Sequence, residues 1–356
     1  MRSSPGHTER FSKYEPVTVV VLVLDGLGAR SVTHEVMPTL TGWAAGGLVR
    51  PEGARSVMCS STYPNFASIV TGKLPLEHGI MTNQVVVDGA ARPASELGPR
   101  SPTFLDRECE VVVGDQHLIG VMAAQTAGRH WPPDGGVPDG TELDLFGYVT
   151  DREVATRVSG ALDRRPDLIF AQLNSPDTFA HVCGPDSKEA IDSYRELDSS
   201  LAGIGSAIRW DQDLVLVTSD HDQETIDPNK RIDLHTLATE RGLDLTVVNE
   251  GTAAMLAGPG AIQPTWVEGV YGVESWVQVA PDVSFVFSLP EWWFADPDLP
   301  DLRGAHGGPR TRSTVAVAAG ADELVAEVKN RFLSPRLGVE DWFELVEAAR
   351  AVTART

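Results

Sequence analysis

Val17-Thr-Val-Val-Val-Leu-Val-Leu24, followed at once by Asp25-Gly26, is the stretch on which the fold turns. It is apolar at nearly every position, with no polar alternation. That pattern reads as a strand buried on both faces, inside a parallel sheet covered by helices. Leu168-Ile-Phe-Ala-Gln-Leu173 and Leu214-Val-Leu-Val-Thr-Ser219 are runs of the same kind. Each leads into residues that carry chemistry: Asp25 after the first, Asp177-Thr-Phe-Ala-His181 beyond the second, Asp220-His221 after the third. Sites in open α/β sheets form outside the carboxyl ends of the strands, so these side chains are expected to converge at one edge. With His306 they make three Asp and three His, enough ligands for two transition-metal ions, and Thr62 supplies a hydroxyl. A set of this kind suits two-metal phosphoryl transfer.

Residues 17–221 repeat a strand-then-helix rhythm, which predicts an α/β fold with a doubly wound, mainly parallel sheet flanked by helices. After Thr62, the segment Tyr63-Pro-Asn-Phe-Ala-Ser-Ile-Val-Thr71-Gly72 reads as a helix. Thr62 is expected as its N-cap, Pro64 in its first turn and Gly72 as its stop. Asp186-Ser-Lys-Glu189 has the form of a capping box, opening a helix whose apolar positions run from Ile191 to Ile208 at helical spacing. Residues 222–305 behave differently, with short strand-like stretches at 243–248, 254–256 and 284–287 among many Gly, Pro and Trp. They are expected to form a small inserted α+β cap. Residues 313–319 return as a core strand, followed by helices at 323–332 and 341–351. The expected division is a tail at 1–15, a core of 16–221 and 306–356, and the cap. The Pro/Gly-rich segments 90–102 and 132–140 read as exposed connections.

A net charge of −21 speaks against nucleic acid or an anionic membrane as partner, since both need clustered Lys and Arg. A polyanionic substrate stays compatible, because bound metal reverses the local field. The first ten residues lack the apolar region of a secretory signal, and no apolar run approaches the ~18 residues that span a membrane. Cys59, Cys109 and Cys183 are few, odd in number and far apart. These features predict a cytoplasmic protein.

The ordered set of motifs resembles the alkaline phosphatase superfamily and, within it, the nucleotide pyrophosphatase/phosphodiesterase family. Thr62-Tyr-Pro-Asn65, Ser68-Ile-Val-Thr-Gly72 and Pro75-Leu-Glu-His-Gly-Ile80 with Asn83 are similar to its nucleophile motif and the stretch behind it. Pro176-Asp177 through His181 and Gly184-Pro185, Thr218-Ser-Asp-His221 and His306-Gly307 match its later motifs. The resemblance implies two zinc ions, one held by Asp177, His181 and His306 and the other by Asp25, Asp220 and His221, with Thr62 as a substrate-side ligand. Mn²⁺ and Fe²⁺ suit the same donors. It implies Thr62 as nucleophile through a phospho-threonine intermediate, Asn83 as a donor to a phosphoryl oxygen, and Tyr63 as an aromatic stacking on a nucleobase. The expected substrate is small, phosphorylated and nucleotide-like, cleaved at a phosphodiester or pyrophosphate bond. Phosphomonoester hydrolysis and carbon–phosphorus hydrolysis of the phosphonoacetate hydrolase type are the alternatives, and a catalytically silent metal-binding relative is a third.

The sequence departs from the family in two places. Tyr63 stands where Phe is usual, and Gly307-Gly-Pro-Arg310 follows His306 in place of Gly-x-Asp-Asn. Ser60 and Ser61 are rival hydroxyls next to Thr62. His78 reads as a structural brace of its turn. Arg92, Arg100 and Arg303 are the obvious loop cations near the motifs.

Overall fold

A computed structural model describes residues 16–295 and 300–353, so the expected 1–15 tail lies outside the described residues. Its centre is a seven-stranded sheet in the order Leu48–Val49, Ala316–Gly320, Leu214–Thr218, Val19–Leu24, Leu168–Leu173, Cys109–Val113, Arg129–Trp131. Five of these strands pair parallel, and Ala316–Gly320 and Leu48–Val49 join antiparallel at one side.

The central strand Val19–Leu24 shows why the sheet needs helices on both faces. All six of its side chains are fully buried. Val19, Val21 and Val23 pack with Phe66, Ile69 and Val70 of the helix Thr62–Thr71 and with the C-terminal helices Asp322–Phe332 and Trp342–Thr353. Val20, Leu22 and Leu24 face the other way, against the helices Pro38–Gly46, Asp151–Leu162 and Lys188–Gly205. Each fully buried Val or Leu stabilises the fold by about 1.5–3 kcal/mol relative to an exposed one. A one-residue slip would swap the two faces.

Register then positions the chemistry. Val23 lies beside Thr218 and Leu24 beside Leu173. The chain therefore leaves the sheet side by side at Asp25, at Asp220-His221 and at the start of the helix Ser175–Cys183.

Residues 222–305 supply separate sheets. One is antiparallel, in the order Thr246–Glu250, Ala253–Ala257, Val283–Ser288, Val273–Ala280. The other pairs Glu224–Ile232 with Glu291–Phe294 and with Gly304–Ala305. Glu224–Ile232 and Val273–Ala280 escape sequence reading because both are rich in polar residues and largely half-buried or exposed.

Several local expectations shift. Ser61, in extended backbone, is the N-cap of the helix Thr62–Thr71, and Thr62 is its first helical residue. Gly72 closes that helix in the left-handed region, φ 65°. The later helix starts one residue beyond the expected box: the Ser187 hydroxyl accepts the Ala190 N–H at 3.1 Å, while Asp186 turns out to Arg30. Within 90–102, Ala90–Pro93 is not a free connection but pairs with Gln84–Val87 as a hairpin. Among the described residues no helix is long and apolar enough to cross a membrane.

Candidate metal centre and nucleophile

The structure brings all seven singled-out side chains together. Asp177 and His181, one turn apart on the helix Ser175–Cys183, share a face, with His181 Nε2 at 3.4 Å from Asp177 Oδ1. His306 Nε2 lies 3.9 Å from the same oxygen, and its ring stacks on His221 at 3.8 Å between centroids. His221 Nε2 reaches Asp220 at 3.3 Å, Asp25 at 3.6 Å and the Thr62 hydroxyl at 3.2 Å. Two three-residue groups are tight enough to share an ion: Asp25, Asp220 and His221, and Asp177, His221 and His306. His221 belongs to both. His181 stands at the rim, joined to the second group through Asp177.

Close approach of these elements needs a missing side chain at Gly26. A Cβ there would sit 2.8 Å from the Asp177 Cα, and its φ of +69° is one that other residues avoid. The Gly26 N–H donates to Asp220 Oδ1 at 3.1 Å, tying two strand ends together.

The donor set fits divalent metal on grounds internal to the structure. Asp25 Oδ1 and Asp220 Oδ2 are buried without a hydrogen-bond partner. Orphaned carboxylate oxygens inside a protein are costly unless a cation meets them. The three imidazoles are oriented alike: Nδ1 of His181 faces the Gly304 carbonyl at 2.9 Å, Nδ1 of His306 that of Ser60 at 3.2 Å, and Nδ1 of His221 that of Asp222 at 3.2 Å. A carbonyl can only accept, so each Nδ1 carries the proton and each Nε2 keeps its lone pair, as a ligand requires. The charges agree. Burial, then the nearby Asp220 and Asp177, push the Asp25 carboxyl well up, and burial also raises Asp220. Burial and the neighbouring imidazoles push His306 well down. Burial raises Asp177, but His181 and the other imidazoles outweigh it and hold its carboxyl below the usual range.

Gln172 and Gln223, given no role by the sequence reading, orient the ligands. Gln172 donates to Asp25 Oδ2 at 2.8 Å, and its own oxygen accepts the Gly114 and Asp115 N–H groups. Gln223 donates to Asp177 Oδ1 at 2.6 Å. A Gln inside the buried run 168–173 was the available signal. Asn65 does similar service for the segment before Thr62: its oxygen accepts the Val57 N–H at 2.8 Å and its amide donates to the Ser61 carbonyl at 2.7 Å.

Thr62 is the partly exposed hydroxyl at the helix start, where backbone N–H groups favour negative charge. Ser60 and Ser61 are fully buried, and the Ser60 hydroxyl is spent on the Thr311 carbonyl and Ser56. Asn83 accepts the Tyr63 N–H through Oδ1 at 2.9 Å, which leaves its NH₂ to donate. The Tyr63 ring packs partly on the core, and its O–H donates to the buried Asp115 at 3.1 Å. Tyr148, also unread in the sequence, lies near it, and Phe146 packs on Tyr148 at 6.5 Å between ring centroids. Phe146 is 6.3 Å from the His181 ring, and burial with the charges of Asp115, Asp177 and Asp25 raises the Tyr148 phenol. Thr178 pins this loop by donating to Asp144 at 2.6 Å. His78 is buried, accepts the Ile80 N–H and pairs with Ser68; burial pushes it down to about 4.

Glu250, from the antiparallel sheet, reaches across to accept the Asn83 N–H at 2.8 Å. Burial raises its carboxyl to about 7, against an ordinary 4.5. A raised folded-state value means its contribution to stability is full below 4.5 and is lost as pH rises through about 7. Glu250→Gln is therefore expected to be the more stable protein at pH 8, by on the order of 1 kcal/mol or more, with the gap closing toward acid. Melting curves across pH check this; parallel curves for the two proteins would refute it.

The sequence model of the type I phosphodiesterase / nucleotide pyrophosphatase family matches residues 19–284. The bis(5'-adenosyl)-triphosphatase enpp4 of Mus musculus is 25% identical over 245 residues, 65% of this chain and 53% of the relative. An uncharacterized pyrophosphatase/phosphodiesterase of Schizosaccharomyces pombe is 28% identical over 199 residues, 51% of this chain and 39% of the relative. The chain thus spans about half the length, or less, of these curated relatives. Among solved structures, phosphonoacetate hydrolase from Sinorhizobium meliloti superposes with a TM-score of 0.69 at 18% identity, covering 94% of this chain and 96% of that one. Murine ectonucleotide pyrophosphatase/phosphodiesterase 5, solved with AMP, gives 0.63 at 16% identity, covering 85% and 88%. These likenesses agree on the α/β core, and with the match over 19–284 they show that this chain belongs to the type I phosphodiesterase / nucleotide pyrophosphatase family.

Proposed function

We propose that the protein is a metal-dependent phosphohydrolase that cleaves a phosphodiester or pyrophosphate bond of a nucleotide-like substrate through Thr62. The observation that carries this reading is the Thr62 hydroxyl, first residue of a helix and 3.2 Å from His221 Nε2, beside the two ligand groups. Asp25, Asp220 and His221 would hold one divalent ion, and Asp177 and His306, joined by His181 from the rim, the other, with His221 within reach of both. Imidazole and carboxylate donors suit zinc, and Mn²⁺ or Fe²⁺ fit them too. The ions would supply Lewis acidity to the phosphoryl oxygens and favour the ionised hydroxyl.

The Thr62 hydroxyl gives up its proton to solvent and Oγ1 attacks phosphorus, forming the new O–P bond as the bond to the leaving oxygen breaks; that oxygen takes a proton from solvent. Water then adds to phosphorus, the bond to Oγ1 breaks, and Thr62 recovers a proton. The Asn83 NH₂ donates to a non-bridging oxygen, because its carbonyl end is held by the Tyr63 N–H. Tyr63, with Phe146 and Tyr148 near it, lines the mouth and receives the base. Residues 222–305 act as the cap that shapes it.

The diester preference rests on charge. Among the described residues the site carboxylates Asp25, Asp177 and Asp220 are ion-paired only to imidazoles, so little besides metal would offset the second charge of a monoester. A panel of chromogenic diester, matching monoester, phosphonate and dinucleotide, run on the wild type and on Tyr63→Ala, tests both parts. The diester is expected to exceed the monoester in kcat/KM. Tyr63→Ala is expected to weaken the dinucleotide by roughly tenfold to a hundredfold and to spare the small diester. A monoester or phosphonate that leads the panel would replace the reading with that activity. Equal losses on both substrates would make the Tyr63 ring structural.

A further inference from the structure

Away from the seven residues of the metal site, a cavity of about 780 Å³ opens between the nucleophile side of the core and the antiparallel sheet. Its size falls in the range of roughly 300–1,000 Å³ that holds small molecules. One wall is apolar: Met58 and Met81 from the core side meet Val279 and Phe285 of the strands Val273–Ala280 and Val283–Ser288. The opposite wall is cationic. Arg50, Arg55, Arg312 and Arg336 line it against only Glu52 and Glu340, in a chain whose net charge is −21.

The arginines are not all neutralised. Arg50 is taken up by Glu52 and by the Ser334 carbonyl. Arg312 donates from Nε, at 2.7 Å, and from Nη2 to the Ser56 carbonyl, which leaves Nη1 toward the cavity side, and no carboxylate forms an ion pair with it or with exposed Arg55 among the described residues. Arg55 pairs with Ser313, so the two arginines lie side by side on this wall; burial, then the charge of Arg55, lowers the Arg312 guanidinium to about 10, and Glu340 offsets only part of this. An anion bound beside them would relieve that repulsion, with the Arg55 fork free to meet a carboxylate in two parallel hydrogen bonds and Arg312 Nη1 adding a further donor.

We propose that this cavity binds a small amphipathic monoanion, an aliphatic carboxylate with its chain against Met58, Met81, Val279 and Phe285 and its head on Arg55 and Arg312. The apolar wall selects a hydrocarbon tail over a bare phosphate, and the concave shape between two sheets suits a single molecule. The occupant touches the segment 55–58, which leads toward Thr62.

The test is calorimetric titration of the whole, zinc-loaded chain with decanoate, with decanol and acetate as comparisons. Decanoate is expected to bind saturably, and decanol and acetate each to bind roughly tenfold more weakly or less. Arg55→Glu, an exposed change outside the catalytic cluster, is expected to weaken decanoate by roughly tenfold or more while diester hydrolysis stays at the wild-type rate. Val279→Asp is expected to weaken decanoate as well, by removing the apolar wall. The proposal is overturned if decanoate shows no saturable binding, or if decanol binds equally well. Unchanged binding in both variants would also overturn it, by placing the carboxylate elsewhere, at the metal centre included.

Discussion

Thr62→Ala is expected to cut kcat/KM on a diester by roughly a thousandfold or more, because it removes the hydroxyl proposed to attack. The side chain sits where three influences meet. It opens the helix Thr62–Thr71, it lies 3.2 Å from His221 Nε2, and it borders the Asp25, Asp220 and His221 group. Loss of a methyl and a hydroxyl from a partly exposed helix start has little effect on packing, so metal content and melting temperature should stay near wild type. Thr62→Ser keeps the oxygen and should retain substantial turnover. The neighbouring serines offer no bypass: the Ser60 hydroxyl is hydrogen-bonded within the core, and Ser61 is fully buried. Acid quench followed by mass spectrometry should find phosphate on the peptide carrying Thr62. An alanine variant with near-wild-type rates, or phosphate trapped on another residue, would remove Thr62 from its role.

Chelation is expected to abolish activity and to lower the melting temperature, and added Zn²⁺ to restore both. An ion present at a hundred times its dissociation constant stabilises the folded chain by about 2.7 kcal/mol. For a chain of this size that is several degrees of melting temperature. Without metal, the buried Asp25 and Asp220 are held above their ordinary value of 3.8. Their contribution to stability is then full below that value and is lost as pH rises through the folded-state values. The stability of the chelated protein should therefore be more sensitive to rising pH than that of the metal-loaded one. His221→Ala, which removes the residue common to both groups, should cost more metal than His181→Ala at the rim; elemental analysis reads the difference. Full activity after exhaustive chelation, with no transition metal detected, would sink the mechanism.

Much of the candidate site was legible because its candidate ligands follow local rules. Asp25 and Asp220-His221 end buried strands, and Asp177 and His181 are one helical turn apart. Such signals need only the residues on either side. The supporting groups were not legible, because each acts across a long stretch of chain. The Ser60 carbonyl that sets the His306 tautomer is 246 residues away from it, and Gln172 meets Asp25 across 147. Glu250 and Asn83 likewise carry no shared pattern, yet one holds the other's backbone. The strand Glu224–Ile232 went unread because Pro228 and its charges imitate a loop, whereas its partner strands supply the pairing.

The sequence by itself determined the α/β core, since a fully apolar run such as Val19–Leu24 has only one stable surrounding, a sheet covered on both faces. It also determined which residues stand at the strand ends and which hydroxyl opens the helix, to within one residue of the cap. Only the tertiary structure decided that His221 is shared by two ligand groups, that Asp25 and Asp220 each keep an oxygen unpaired, and that every Nδ1 is spent on a carbonyl. It alone set a cationic cavity against an apolar sheet face in an acidic chain. The physical reason is range. Periodicity and capping act over a few residues, whereas ligand direction, protonation and cavity walls depend on distances between elements that packing alone sets.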